Sequence, residues 1–238
     1  MTKIDSRLRG NDNPKTVVPA KAGTQHVDSR VRGNDVAHTA DQRLMARIRE
    51  RWGAAITEAC RYSSVPEQFL AALVANESGQ WILADKPIPP RFEKLVFNKL
   101  IAVQQGSLDH YGHIRREHLA RLTGIEIKEL ASSWGLTQIM GCHTVGRPGG
   151  LSLIREDAGA HLKFALGLLA KFAEQYGLNV TLEFTEMFRC WNTGHPYDDP
   201  KTPRIEGRTH DPKYVERGLA RMKIYKEFGH RGTEAQSL

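Results

Sequence analysis

Apolar residues return at helical spacing along most of the chain beyond residue 40. Leu44, Ile48, Trp52, Ala55, Ile56 and Ala59 lie three or four positions apart and predict a helix from about Asp41. Ser63-Ser64-Val65-Pro66-Glu67 reads as the next helix start, with Ser64 as cap, Pro66 in the first turn and Glu67 completing a Ser-x-x-Glu box. The apolar face that follows is Phe69, Leu70, Leu73 and Val74, and the same period next reaches Glu77. Residues 78–92 read as irregular, because Gly79, Pro87, Pro89 and Pro90 interrupt regular structure.

Helices are expected again near Leu95–Val103 and Arg115–Arg121. A long one is expected over about Ile154–Tyr176, with Leu162, Ala165, Leu166, Leu169 and Phe172 inward and Gly177 as its stop. Another covers about Leu182–Trp191. The last begins at Asp211-Pro212 and carries Val215, Leu219, Met222 and Tyr225 toward Gly229. Strand patterning is confined to short possibilities in 79–92, so the body at 41–230 is expected to be mostly α, with a flexible tail at 231–238.

Residues 1–40 carry no such period. Asp5-Ser6-Arg7-Leu8-Arg9-Gly10-Asn11-Asp12 returns as Asp28-Ser29-Arg30-Val31-Arg32-Gly33-Asn34-Asp35, a polar, Gly-punctuated repeat. Two copies fall short of the roughly three stacked units a solenoid needs. The segment is expected to be disordered and resembles translated bacterial intergenic repeat DNA, which would put a natural start near Met45. A basic arm for wall or nucleic acid is the functional alternative.

Composition narrows the classes. The chain has 238 residues, 40% of them hydrophobic, enough for one large domain with a tail. No apolar run approaches the roughly 20 residues that span a bilayer, and the start lacks the apolar stretch of a secretory signal. Net charge is +7, and residues 1–44 hold eight Lys/Arg against five Asp. This mild basicity suits an anionic polymer such as a bacterial wall, and equally a weak nucleic-acid contact. Cys60, Cys142 and Cys190 are widely spaced and read as buried free thiols of a reducing compartment. His110, His113 and His118 are spaced three and then five apart, which does not place them on one helix face. They read as solvent-exposed, so no metal and no other cofactor is expected.

Three segments carry candidate chemistry. Ala75-Asn76-Glu77-Ser78 puts a carboxyl on an apolar stripe just before the expected helix end. Burial and a helix C-terminus both raise a carboxyl's pKa and keep it protonated for acid work. A glutamate at the stripe's edge that reaches solvent is the ordinary alternative. Ser78 is placed to orient that carboxyl. Ser133-Trp134-Gly135-Leu136-Thr137-Gln138-Ile139-Met140-Gly141 offers close backbone approach at Gly135 and an amide at Gln138 suited to a sugar hydroxyl or acetamido group, or else is a buried helix start. Trp191-Asn192-Thr193-Gly194 is a Gly-ended turn, in which Asn192 bonds an N-acetyl group, holds the catalytic carboxyl or simply marks a stop. Tyr214 is either a cleft hydroxyl or a core tyrosine.

Taken in order, Glu-Ser, Gly-Leu-x-Gln-Ile-Met, Trp-Asn-x-Gly and Asp-Pro-x-Tyr-Val resemble the soluble lytic transglycosylase domain, over about Ile56–Phe228. The resemblance implies a lysozyme-like α fold with a glycan-binding cleft. It implies Glu77 as catalytic acid/base, Ser78, Gly135, Leu136, Gln138 and Asn192 at the saccharide, and Tyr214 in the cleft. Arg91-Phe92-Glu93 with Phe97 is similar to the Phe-Glu element of phage-type N-acetylmuramidases, which makes Glu93 a possible second acid or an ion-pair partner of Arg91 or Arg115. Trp191 and residues 80–90 depart from the pattern.

The expected activity is therefore cleavage of the MurNAc–GlcNAc β-1,4 bond with formation of 1,6-anhydro ends. The alternatives are a hydrolytic muramidase of the phage endolysin type, or a non-catalytic glycan or secretion-partner binder of the same fold. Peptidoglycan strands are the expected partner of an expected monomer acting in the periplasm, cytoplasmic until exported. Nucleic acid is not expected, since no recognition-helix signature is present.

Overall fold

The computed structural model describes residues 39–196 and 213–234, with backbone alone at 229–234. The N-terminal repeat and the Asp211-Pro212 helix start lie outside the described residues. The described chain is mostly helical. In order it runs α1 (Ala40–Cys60), α2 (Glu67–Leu83), β1 (Arg91–Phe92), α3 (Lys94–Gln105), β2 (His110–Tyr111), β3 (Ile114–Arg115), α4 (Arg116–Leu119) and α5 (Gly124–Leu130). It continues through β4 (Ser132–Trp134), β5 (Ile139–Met140), a 3₁₀ turn (Gly141–Thr144), α6 (Ser152–Arg155), α7 (Ala158–Tyr176), α8 (Phe184–Thr193) and α9 (Lys213–Glu234). Among the described residues no helix is long and apolar enough to cross a membrane.

Helix α1 opens on a reciprocal box. The Gln42 N–H donates to Thr39 Oγ1 (3.2 Å), and the Thr39 N–H donates to Gln42 Oε1 (2.8 Å). This cap lies upstream of Met45, which is fully buried in the helix. A chain begun near Met45 would lack it.

Helix α2 corrects two expectations. Pro66 stands at its cap position and no side chain caps it; the Ser63 hydroxyl accepts from the Val65 N–H (3.1 Å) instead, so the Ser64 box does not form. The helix also does not stop at Ser78-Gly79 but continues to Leu83. Residues 69–75 are buried all round, so α2 is a core helix and not a one-sided stripe. Gly79 is tolerated there because α1 and α2 pack closely at that level. A Cβ on it would come within 2.7 Å of Leu44 Cδ2, so the missing side chain offsets glycine's helix penalty of about 1 kcal/mol.

The expected Ile154–Tyr176 helix is two helices. Asp157 interrupts it and caps α7, accepting from the Ala160 N–H. Gly177 ends α7 in the left-handed region, as expected. Helix α8 runs two residues later than expected, and α9 passes Gly229 to Glu234, where a flexible tail was expected.

Five strands went unpredicted or nearly so. β4 pairs antiparallel with β1 (Arg91↔Ser133, Phe92↔Ser132) and with β5 (Ser133↔Met140, Trp134↔Ile139), while β2 and β3 form a hairpin. Each is two or three residues long, too short for alternation to register.

Two hydrophobic clusters share no buried residue. The larger joins α1, α2, α7, α8 and α9, with Phe69 and Phe188 rings 4.3 Å apart at its centre. The smaller joins α3, α5 and Ile114, Leu119 and Cys142. The three cysteines are buried and unpaired with one another.

Candidate active site

A cleft of about 1410 Å³ is lined from both sides, by α2 and α9 of the larger cluster and by Glu93, Val96, Met140 and Cys142 of the sheet side. It exceeds the roughly 300–1,000 Å³ of a small-molecule pocket, as an extended ligand would require. Three carboxylates line it among the described residues, namely Asp41, Glu77 and Glu93. Asp41 is bound by Arg221 (2.8 Å) and Glu93 by Arg91 (2.9 Å). Glu77 instead accepts from the Tyr214 hydroxyl, at 2.5 Å.

Glu77 is half-buried on the cleft-facing side of α2. Desolvation by the surrounding protein raises its pKa above the usual carboxylate value, and the Tyr214 hydrogen bond and the Arg91 charge oppose this only partly. The helix end plays no part in the shift, since α2 continues six residues further. Tyr214 is 6% exposed, and burial together with the neighbouring carboxyl holds its phenol well above its ordinary pKa, so it remains a donor. With Oε1 taken by Tyr214, the acidic proton belongs on Oε2. Tyr214→Phe should raise the Glu77 pKa further, because it removes a bond that favours the ionised form. A carboxyl-labelled NMR titration checks this, and a midpoint that fell or stayed would contradict it.

The Ser133–Met140 strip forms the wall behind Glu77. The turn between β4 and β5 has Gly135 at φ +69° and Gln138 at φ +53°. Gln138 lines the cleft, yet its amide is engaged internally. Oε1 accepts from Ser133 Oγ (2.9 Å), and Nε2 donates to the Gly135 carbonyl (3.1 Å). The Ser78 hydroxyl donates to the Leu136 carbonyl (2.8 Å) and ties the turn to α2.

His161 closes the strip from behind. Its Nε2 faces the Thr137 N–H (3.0 Å) and must accept, so Nδ1 carries the proton and donates to the Ile154 carbonyl (2.9 Å). The Thr137 hydroxyl also meets Nε2, at 2.8 Å. Burial lowers the His161 pKa to about 4. The unfolded chain, with His near 6.5, binds this proton more readily, so stability from this site is complete above about pH 6.5 and declines as pH falls toward 4. The loss is about 3 kcal/mol. Urea unfolding across that range should show a steeper decline for wild type than for His161→Gln. Parallel curves would remove His161 from the account.

The site thus divides the candidate residues. Glu77, Gln138, Asn192, Tyr214 and Glu93 line one cleft. Ser78, Gly135 and Leu136 are not among the residues that line it; Ser78 and Leu136 are buried, and the Ser78 hydroxyl donates to the Leu136 carbonyl. Tyr214, and neither Ser78 nor Asn192, holds the Glu77 carboxyl. Glu93 forms the structural ion pair with Arg91. His110, His113 and His118 are exposed, and the described residues contain no group of three His, Cys, Asp or Glu arranged to hold a metal. Sequence reasoning missed Asp41, Arg91 and Arg221 as cleft residues and His161 as the anchor of the wall, because none has a local signal.

No family model matches this chain, and neither does any curated protein or solved structure.

Proposed function

We propose that the protein is a lysozyme-like peptidoglycan lytic transglycosylase with Glu77 as its acid and base. The observation that carries this is a desolvated carboxyl lining a large cleft and bonded by a buried tyrosine hydroxyl. A raised pKa favours the protonated form that a general acid requires. The Oε2 proton passes to the bridging oxygen as the bond from MurNAc C1 to that oxygen breaks and an oxocarbenium-like centre forms. The carboxylate left behind accepts the proton of the MurNAc C6 hydroxyl as O6 bonds to C1. The ring closes as a 1,6-anhydro end, without water and without any change of oxidation state. Glu77 is protonated again at the end of the cycle.

Glu93 gives the hydrolytic muramidase its standing as second reading, since it lines the same cleft. There a water bonds to C1, and Glu93 takes its proton. Its carboxyl is engaged by the salt bridge to Arg91. Digestion of purified peptidoglycan with mass-spectrometric product analysis separates the two. Anhydro ends support the transglycosylase, hydrated reducing ends the muramidase. No soluble product from folded protein would leave a glycan binder.

A further inference from the structure

Helix α9 is fixed to α2 at two levels, seven residues or about two turns apart. At the first, the Asn76 amide donates to the Tyr214 carbonyl (2.9 Å), beside the Tyr214–Glu77 bond. At the second, Arg221 uses its whole fork. Nε and Nη2 both donate to Asp41 Oδ1 (3.0 and 2.8 Å), while Nη1 donates to the Ala75 carbonyl (3.1 Å) and to Asn76 Oδ1 (2.8 Å). Arg221 is only 12% exposed.

Asn76 is the joint between the levels. Its oxygen takes the guanidinium and its nitrogen gives to Tyr214, so both halves of the amide are used and it cannot flip without facing donor to donor. The chain of contacts runs from Asp41 on α1, through Arg221 on α9 and Asn76 on α2, to the backbone of the residue whose hydroxyl meets Glu77. Each link is charged or half-buried, where geometry is held more firmly than at an exposed surface.

We propose that Arg221 is a positioning residue for the Tyr214–Glu77 pair: its fork, anchored by Asp41, holds Asn76, and Asn76 holds the start of α9 at the height that brings the Tyr214 hydroxyl onto the carboxyl. This deepens the acid/base role proposed for Glu77 and rests on it. Arg221 does not touch the reacting atoms. The close packing of α8 on α9, where a Cβ at Gly218 would meet the Phe188 ring at 2.7 Å, keeps α9 in the fold independently of the fork.

The test reads Glu77 directly, in full-length protein labelled at glutamate carboxyl carbons, with the Glu77 signal identified by its loss in Glu77→Gln. The ionisable groups that line the cleft with Glu77, besides Tyr214 and Arg221, are Asp41 from α1, Arg91 in β1 and Glu93 after it, Tyr111, His113, Cys142 and His143, Tyr176 from α7, Cys190 from α8 and His195 beyond it, and Arg217 from α9. Arg221→Lys keeps the charge but not the fork, and Asn76→Ala changes no charge. Each should weaken Glu77 as an acid by roughly three- to tenfold, the scale of one hydrogen bond to a carboxylate. In a Tyr214→Phe background neither should move it further, because both act through the same hydroxyl.

Asp41→Asn adds a check on sign, and serves if Arg221→Lys does not fold. Losing a nearby negative charge alone would strengthen Glu77 as an acid, whereas loosening the fork weakens it. Unmoved midpoints in folded Arg221→Lys and Asn76→Ala, or shifts that persist without the Tyr214 hydroxyl, overturn the proposal. Because no glycan is involved, this outcome is separate from that of the digestion: active Glu77→Gln would refute the acid role and leave the titration result standing.

Discussion

Glu77→Gln should reduce glycan cleavage by roughly 10³-fold or more and, in the same protein, raise the melting temperature. The activity loss follows from chemistry, since an amide has no proton to deliver to a leaving oxygen, and positioned acids contribute about 10²–10⁴-fold. The gain in stability follows from burial. Desolvation is the largest influence on Glu77 and raises its pKa in the folded protein, so the fold favours the neutral form. Its contribution is fully present at acid pH and is lost as pH rises through the folded value. A glutamine stays neutral throughout and still accepts from Tyr214. Wild type and variant should therefore be closest in stability at acid pH, with the variant the more stable at pH 8. Muropeptide release and paired denaturation curves check both halves. Retained activity would remove Glu77 from the mechanism, and a variant less stable at pH 8 would mean the carboxylate is better solvated than its surroundings indicate.

Gly135→Ala should cost about 3 kcal/mol or more, lowering the melting temperature by roughly 10 °C. Two independent penalties meet there. At φ +69° any side chain is strained. A Cβ would also lie 2.6 Å from the His161 ring and 2.9 Å from the Ile154 carbonyl, and neither can withdraw. The ring is fixed at both nitrogens, and the carbonyl is part of one of those bonds. Activity should fall with stability, because the same turn presents Gln138 to the cleft. A Gly135→Ala protein that melts within a degree or two of wild type would show that the strip can shift as a unit.

Helices were legible where period and punctuation agreed. Gly177 and Gly194 both end helices in the left-handed region, as a glycine stop should. Helix α2 shows the limit. Ser78-Gly79 has the local signature of an end, but Leu44 on α1 occupies the space beside Gly79, and tertiary packing carries the helix onward. The sheet was illegible because strands of two or three residues show no period. Glu77 stood out as a carboxyl amid apolar neighbours, and Tyr214 as a possible cleft hydroxyl. Their bond spans 137 positions and the Arg221–Asn76 bond 145, distances at which one sequence holds no trace of contact.

Because the two hydrophobic clusters are separate, the site is modular. The carboxyl, its tyrosine and the arginine fork all belong to helices of the larger cluster, while much of the facing wall is held by the smaller one. Substitutions that reshape that wall can alter which ligands the cleft admits without loosening the helices that set the acid. Arg91 is where the two sides meet, as its strand is paired to the sheet and its charge acts on Glu77. Changes around Val96 and Ile114 can therefore reshape the cleft while leaving in place the helices that hold Glu77 and Tyr214.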